Sequence, residues 1–425
     1  MNVPAGKKPR RLALFLDGTW NTVSDNTNVW RMKSLCEAND QQLIYYNAGV
    51  GTVFGQRLGG GMFGYGLDDE VIRAYEWLID NYGPEDQLFI LGFSRGAFTA
   101  RSLAGFISTC GLLEAGAPLS VAQLYDRYRK RNSGQLATIR HLKQQDPKSL
   151  KTEERWMVEY SMAIPTWFVG VWDTVGALGV PFGHIRFISR SNYAFLDTDV
   201  HINDTHAYHA VAIDEHRKAF APTLWQAKRK KVPSPDDWPA PRLLAAVEQR
   251  WFIGAHANVG GGCTDDLLAQ IPLRWLMDKS VRHGLTFKKQ VVVDGDETTA
   301  PISNSYREFA WGIYRHASRP FHREIGKTPT EVSVNELYGT INETVDGSVF
   351  DRWRADAAYR PDNLVAWAEK YDVDPAALKG PVLARDPKHV VVEELIPPLP
   401  MTPTPTATEQ LPPGPNPTAT SGSKC

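Results

Sequence analysis

With 425 residues, 42% of them hydrophobic, and a formal net charge of −1, the chain has material for one large α/β domain with additions, or for two domains. The near-even charge gives no support for nucleic-acid binding, which usually shows a basic stripe. Four cysteines, Cys36, Cys110, Cys263 and Cys425, lie far apart with no C-x-x-C pair, which argues against a zinc knuckle or a disulfide framework and for a reduced compartment.

Lys7-Lys8-Pro9-Arg10-Arg11 is followed by only a short apolar run, Leu12 to Leu16, too short for a signal-peptide core, and no stretch is long enough to span a membrane. A cytoplasmic protein is expected, leaving the cytosol only if a signal-independent machine exports it. Leu12 to Leu16 is apolar on both faces and reads as a buried strand. It runs into Asp17-Gly18-Thr19-Trp20-Asn21. A phosphatase of the haloacid dehalogenase type is excluded, because its nucleophilic aspartate would stand where this chain has Phe15. As a loop at the carboxyl end of a parallel strand, Asp17, Gly18 and Thr19 are candidates for substrate contact, with the N–H groups around Gly18 as oxyanion donors. A plain turn capped by Asp17 is the alternative.

Leu43 to Tyr46 reads as a second strand. The glycine-rich stretch Gly49 to Gly66 lacks the Lys-Ser or Lys-Thr of a P-loop and is expected to be a mobile loop over a pocket, with Phe54, Phe63 and Tyr65 available to an acyl chain or to the core. Asp68 to Asp80 has helical apolar spacing, and Gly83-Pro84 ends it. The strand that follows, Leu88 to Leu91, ends in Gly92-Phe93-Ser94-Arg95-Gly96 just before a helix-compatible run. Strand, Gly-x-Ser-x-Gly and helix in that order describe a nucleophile elbow, in which the serine sits on a strained turn and the helix N-terminus faces a developing oxyanion. Strand, helix and strand predict a parallel sheet.

Ser120 to Glu159 is polar, basic and helical in character, read as a solvated insertion. Thr166 to Trp172 is another apolar strand, and it stops at Asp173. Arg250 to Gly254 repeats the pattern and leads to His256. Ser94, Asp173 and His256 thus stand at three strand ends in the order Ser…Asp…His. Serine needs a base within hydrogen-bond reach, histidine supplies it, and an acid fixes the imidazole tautomer, while the Arg95 N–H faces the oxyanion. His184, His201, His206, His209 and His216 lie in stretches read as looped or helical and are weaker bases by position; Asp204 and Asp214 are reserve acids. Asp214-Glu215-His216-Arg217 reads as a salt-bridge cluster behind the site, with head-group orientation as the alternative.

Phe15 to Thr19, Gly92-Phe93-Ser94-Arg95-Gly96-Ala97, Trp172-Asp173-Thr174-Val175-Gly176 and Gly254 to Gly262, together with Asp214 to Arg217 and Phe220-Ala221-Pro222, resemble the α/β-hydrolase family of type VI secretion phospholipase effectors. The resemblance covers roughly residues 10 to 290. It implies an α/β-hydrolase-like, mostly parallel sheet flanked by helices, and a serine esterase or phospholipase with Ser94, Asp173 and His256 in the matching positions. Relatives carry an aspartate and a tyrosine where this chain has Asn258 and Cys263. The expected organisation is a catalytic domain over 1–290, a helical or looped extension over 291–396 packed on it, and a Pro/Thr-rich disordered tail over 397–425. The expected activity is cleavage of lipid, phospholipid or small-molecule esters through an acyl-enzyme, without cofactor or metal, with peripheral membrane contact, secretion machinery or an immunity protein as possible partners. A catalytically silent scaffold on the same fold is the alternative.

Overall fold

The structure is a computed structural model that describes residues 9–18, 26–49, 65–129, 138–175, 204–231, 242–263, 266–293, 296–303 and 319–392. Thr19, most of the glycine-rich stretch after Gly49, and the tail over 397–425 lie outside these residues. In chain order come β1 (Arg11–Leu16), α1 (Asn28–Leu35), β2 (Gln42–Asn47), α2 (Tyr65–Asn81), β3 (Gln87–Phe93) and α3 (Arg95–Cys110). The basic stretch contains α4 (Val121–Arg129), α5 (Ile139–Leu142) and α6 (Thr152–Tyr160), flanked by the short paired strands β4 (Leu112–Leu113) and β5 (Ser161–Met162). There follow β6 (Thr166–Trp172), β7 (Asp204–Ala212), β8 (Gln226–Lys230), β9 (Val247–Phe252), α7 (His256–Gly260) and α8 (Gln270–Arg282). The last part supplies β10 (Thr330–Ser333), β11 (Glu336–Thr340), β12 (Glu343–Val345), α9 (Gly347–Ala355), α10 (Asp362–Tyr371), β13 (Val382–Leu383) and β14 (Asp386–Val390).

Among the described residues, nine strands form one sheet in the order β14-β13-β12-β9-β7-β6-β3-β1-β2. Every pairing from β2 to β12 is parallel, and β13 and β14 add an antiparallel edge. Parallel strands present all their carboxyl ends at one rim, so the loops after β1, β3, β6, β7 and β9 converge there. The chain leaves β1 for β2 on one side and for β3 on the other, and this reversal opens a crevice at the rim.

Side-chain alternation splits each strand between two cores. Leu12, Leu14 and Leu16 of β1, with Leu88 and Ile90 of β3, pack on α2 and α3; Ala13 and Phe15, with Phe89 and Leu91, pack beneath α1 and α8. Each leucine, isoleucine or phenylalanine among them taken fully out of water contributes on the order of 2 kcal/mol. A third core, built on Val211, Ile213, Trp251 and Ile253, is covered by Val349, Phe350, Leu364 and Trp367 of α9 and α10. The region over 291–396, read from sequence as helix or loop, therefore also carries strands that extend the main sheet. β8, β10 and β11 form a separate antiparallel sheet, so this region also pairs with residues 226–230.

Candidate active site

The site starts from the elbow between β3 and α3. Ser94 has φ 57° and ψ −118°, a conformation that L-residues rarely adopt. Both flanking glycines are required by space. A Cβ on Gly92 would lie 2.4 Å from the Gly96 carbonyl oxygen, and one on Gly96 would lie 2.1 Å from that of Leu16 and 2.5 Å from that of Asp17. These are backbone atoms of α3, of β1 and of the loop after β1, which cannot yield singly. Gly96→Ala is therefore expected to destabilise the fold by about 3 kcal/mol, in the overpacking range, read as a lower denaturant midpoint at unchanged slope. The Ser94 N–H donates to the Trp172 carbonyl at 3.0 Å, which ties the elbow to the end of β6. Arg95 opens α3, so its backbone N–H has no acceptor within the helix.

Ser94, His256 and Asp173 form one hydrogen-bonded row. His256 Nε2 lies 2.8 Å from Ser94 Oγ, and His256 Nδ1 lies 2.6 Å from Asp173 Oδ2. Asp173 follows β6 and, like Ser94, has positive φ, at 38°. His256 opens α7 directly after β9. The imidazole sits between the rings of Phe93 (centroids 4.7 Å apart) and Phe220 (5.0 Å). A Cβ on Gly260 would fall 1.9 Å from the Phe93 ring, so α7 can approach β3 only because that position lacks a side chain.

Burial acts differently on the two partners. It would raise the Asp173 carboxyl, but the Arg323 guanidinium and the His256 imidazole outweigh it and hold the group well below the usual carboxylate range. Burial lowers His256 below its ordinary value; the Asp173 hydrogen bond and charge oppose this, and Arg217 reinforces it. Asp173 is thus ionised and His256 neutral at neutral pH, the states that let Nε2 accept a proton while Nδ1–H donates to the acid.

The loop after β7 completes the wall. Glu215 accepts two hydrogen bonds at 2.8 Å from the Arg217 guanidinium, and its Oε2 accepts the His256 backbone N–H at 3.3 Å. Burial would raise its carboxyl, but the Arg217 guanidinium, with Arg323 and His256 nearby, brings it down to about 2. The Arg217 guanidinium lies over the Phe220 ring, 3.5 Å from its centroid. Asp214 accepts from the Gly254 N–H at 2.7 Å and the Tyr359 hydroxyl at 3.2 Å, so it fixes the loop before His256. Of the rival histidines, His216 directs Nδ1 to the Phe321 carbonyl at 3.3 Å. His206 and His209 lie inside β7, not in a loop or helix as the sequence reading has them. His209 Nε2 accepts the Thr174 N–H at 3.0 Å, and burial takes this imidazole down to about 3, so it is a neutral brace behind Asp173. Asp204 pairs with Thr166 at the amino end of the sheet, away from the rim.

The loop after β1 is a different matter. Asp17 is buried, and its carboxylate accepts from the Gly18 N–H at 2.8 Å, the Thr27 hydroxyl at 2.5 Å and the Tyr46 hydroxyl at 3.2 Å. Its side chain anchors its own loop, as in the plain turn capped by Asp17 that the sequence offers as the alternative. The Gly18 N–H is engaged by that carboxylate.

Sequence reasoning missed Arg323. Its guanidinium is fully buried and grips both oxygens of Asp173, Nη1 to Oδ1 at 2.7 Å and Nη2 to Oδ2 at 3.0 Å. Asn258, which the sequence marks only as a departure from relatives, accepts at Oδ1 from the Ala255 and Ser303 N–H groups while Nδ2 donates to Ser303 Oγ. Asn258 locks the turn that presents His256; an aspartate there would lose the donor. Cys263 also meets Ser303, Sγ to Oγ at 3.4 Å. No motif surrounds Arg323, and nothing short of the fold brings it to a residue 150 positions away.

Among known proteins, the family model described as "T6SS, Phospholipase effector Tle1-like, catalytic domain" matches residues 10–279. The uncharacterised protein YEL023C of Saccharomyces cerevisiae is 29% identical over 232 residues, covering 50% of this chain and 32% of that protein. The structure of the Tle1 effector bound to the VgrG spike of the type 6 secretion system aligns at a TM-score of 0.34 and 17% identity, over 62% of this chain and 52% of that one. An uncharacterised protein from Pseudomonas aeruginosa aligns at a TM-score of 0.37 and 19% identity, over 73% and 51%. The chain spans about a third of the yeast relative and about half of each solved chain.

Proposed function

The chain belongs to the Tle1-like catalytic-domain family of type VI secretion phospholipase effectors, and from that premise we propose that it is a serine hydrolase of carboxylic esters, with lipid esters as its substrate class. The observation that carries the reading is the continuous row from Ser94 Oγ through His256 to Asp173 at three converging strand ends. Ser94 Oγ attacks the ester carbonyl while His256 Nε2 takes its proton. Asp173 holds Nδ1–H and stabilises the imidazolium. The tetrahedral oxyanion is assigned to the Arg95 N–H at the start of α3. A second donor from the loop after β1 requires the Gly18 N–H to leave Asp17 Oδ1. Collapse returns the proton from His256 to the leaving alcohol, and water then repeats the sequence on the acyl-enzyme.

The family description supports lipid over other esters, and it supports delivery by secretion machinery; both are part of the proposal. Contact with lipid is taken as peripheral in this proposal; among the described residues no helix is long and apolar enough to cross a membrane. A fluorophosphonate probe is expected to label wild-type protein and not Ser94→Ala. Turnover is expected to rise when a phospholipid passes from monomers to vesicles, and to exceed that on a short water-soluble ester. Equal turnover on both, with no preference for longer acyl chains, would make the protein a small-molecule carboxylesterase; no labelling at all would leave a silent scaffold.

A further inference from the structure

We propose that Arg323 is a positioning residue for this hydrolysis, clamping the acid of the triad, and that the chain beyond residue 279 is therefore a working part of the site. The inference rests on the hydrolase reading above. Residues 10–279 match the family and contain Ser94, Asp173 and His256, yet the cation hydrogen-bonded to Asp173 comes from outside that span. Arg323 Nη1 also donates to the Ala212 carbonyl at 2.8 Å, and Nη2 to the Phe220 carbonyl at 2.6 Å. These carbonyls lie at the end of β7 and in the loop that carries Phe220 to the His256 ring. One planar guanidinium thus fixes the carboxylate plane and the wall of the imidazole pocket together, a task for which a lysine has no fork.

Arg323 is itself held by the last part of the chain. Asn363 of α10 donates to the Arg323 carbonyl at 3.1 Å and to the Ile213 carbonyl at 3.0 Å. The Phe321 N–H donates to the His216 carbonyl at 2.9 Å. Tyr359 and Ser303 make the contacts to Asp214 and Asn258 described above. The extension thus braces both loops that frame His256.

The geometry also has an electrostatic consequence. Arg323 Nη2 and His256 Nδ1 share one oxygen, Asp173 Oδ2. Part of the negative charge that would stabilise an imidazolium is therefore already offset by a fixed positive charge. Other charged or titratable groups among the described residues beside this pair have partners of their own. Glu215 and Arg217, beside His256, are paired with each other. Behind Asp173, His209 is held neutral and Arg101 donates to the Thr223 carbonyl. A residue that merely anchored the extension would affect stability alone; a clamp on Asp173 also affects where His256 titrates.

The test compares wild-type, Arg323→Gln and Arg323→Lys in the full chain, with kcat/KM on a short ester measured against pH and corrected for the folded fraction by circular dichroism. Arg323→Gln removes the charge, so Asp173 acts on His256 undivided. The acid limb is expected to move to higher pH and kcat to fall by about 100-fold, the scale of a misplaced catalytic group. Arg323→Lys keeps the charge and loses the fork, so the limb is expected to stay while kcat falls about tenfold or more. A folded Arg323→Gln with the wild-type limb and kcat would overturn the proposal. Should that variant not fold, a wild-type kcat in Arg323→Lys overturns it equally. Fluorophosphonate labelling of wild-type protein keeps the two readings apart. If wild type is not labelled, the hydrolase reading fails; if it is labelled and both variants match it, only the role of Arg323 fails.

Discussion

Ser94→Ala is expected to lower ester hydrolysis by about 10⁴-fold or more with little change in melting temperature. The hydroxyl is half-buried at the rim, and its hydrogen bond to His256 belongs to the proposed reaction rather than to the packing of the core. Alanine at φ 57° is no more strained than serine there. His256→Ala should lose activity to the same degree, and the double variant should be scarcely worse than either, because attack by the hydroxyl and removal of its proton are one event. His216→Ala is the control: its ring nitrogen faces the Phe321 carbonyl, so turnover should stay near wild type. A severe loss in His216→Ala with a mild one in His256→Ala would show that the base has been misassigned.

The parts of this site legible in the sequence are those that parallel-sheet geometry writes locally. A strand buried on both faces is a continuous apolar run, and its carboxyl end is marked where the run stops; β3 stops at the elbow, and β6 stops at Asp173. β9 was legible only in its second half. Its first half, Val247 to Gln249, is buried but polar, because Glu248 accepts from Arg250, Lys279 and Thr344. β7 was missed for a similar reason. Asp204 to Ala212 carries two histidines, and only tertiary contacts, such as Thr174 N–H to His209, make an imidazole a core residue. β12 and β13 are too short to show any period and exist through pairing with β9 and each other. Arg323 is illegible for a stronger reason: a buried carboxylate at a strand end requires a partner, but the requirement does not say which basic residue, or how far along the chain, supplies it.

That partnership makes the acid the second place where a single change has a large expected effect, and there the effect is double. Asp173→Asn should lower kcat by about 10⁴-fold, because an amide can present its N–H to Nδ1 and so favour the wrong imidazole tautomer, leaving Nε2 without its lone pair for Ser94. The same change removes a counter-charge from Arg323, whose side chain has no exposure to solvent. Breaking a buried pair by deleting one partner costs about 3–5 kcal/mol, so this variant, unlike Ser94→Ala, should melt markedly lower. The pH dependence gives the sign. The Asp173 carboxyl is held below its unfolded value, so its contribution to stability is present above the ordinary carboxylate range and lost as pH falls below it. The gap in stability between wild type and Asp173→Asn should therefore be full at neutral pH and narrow in acid. Equal melting temperatures for the two proteins at neutral pH would mean that Arg323 and Asp173 do not form the buried pair on which the acid's position depends.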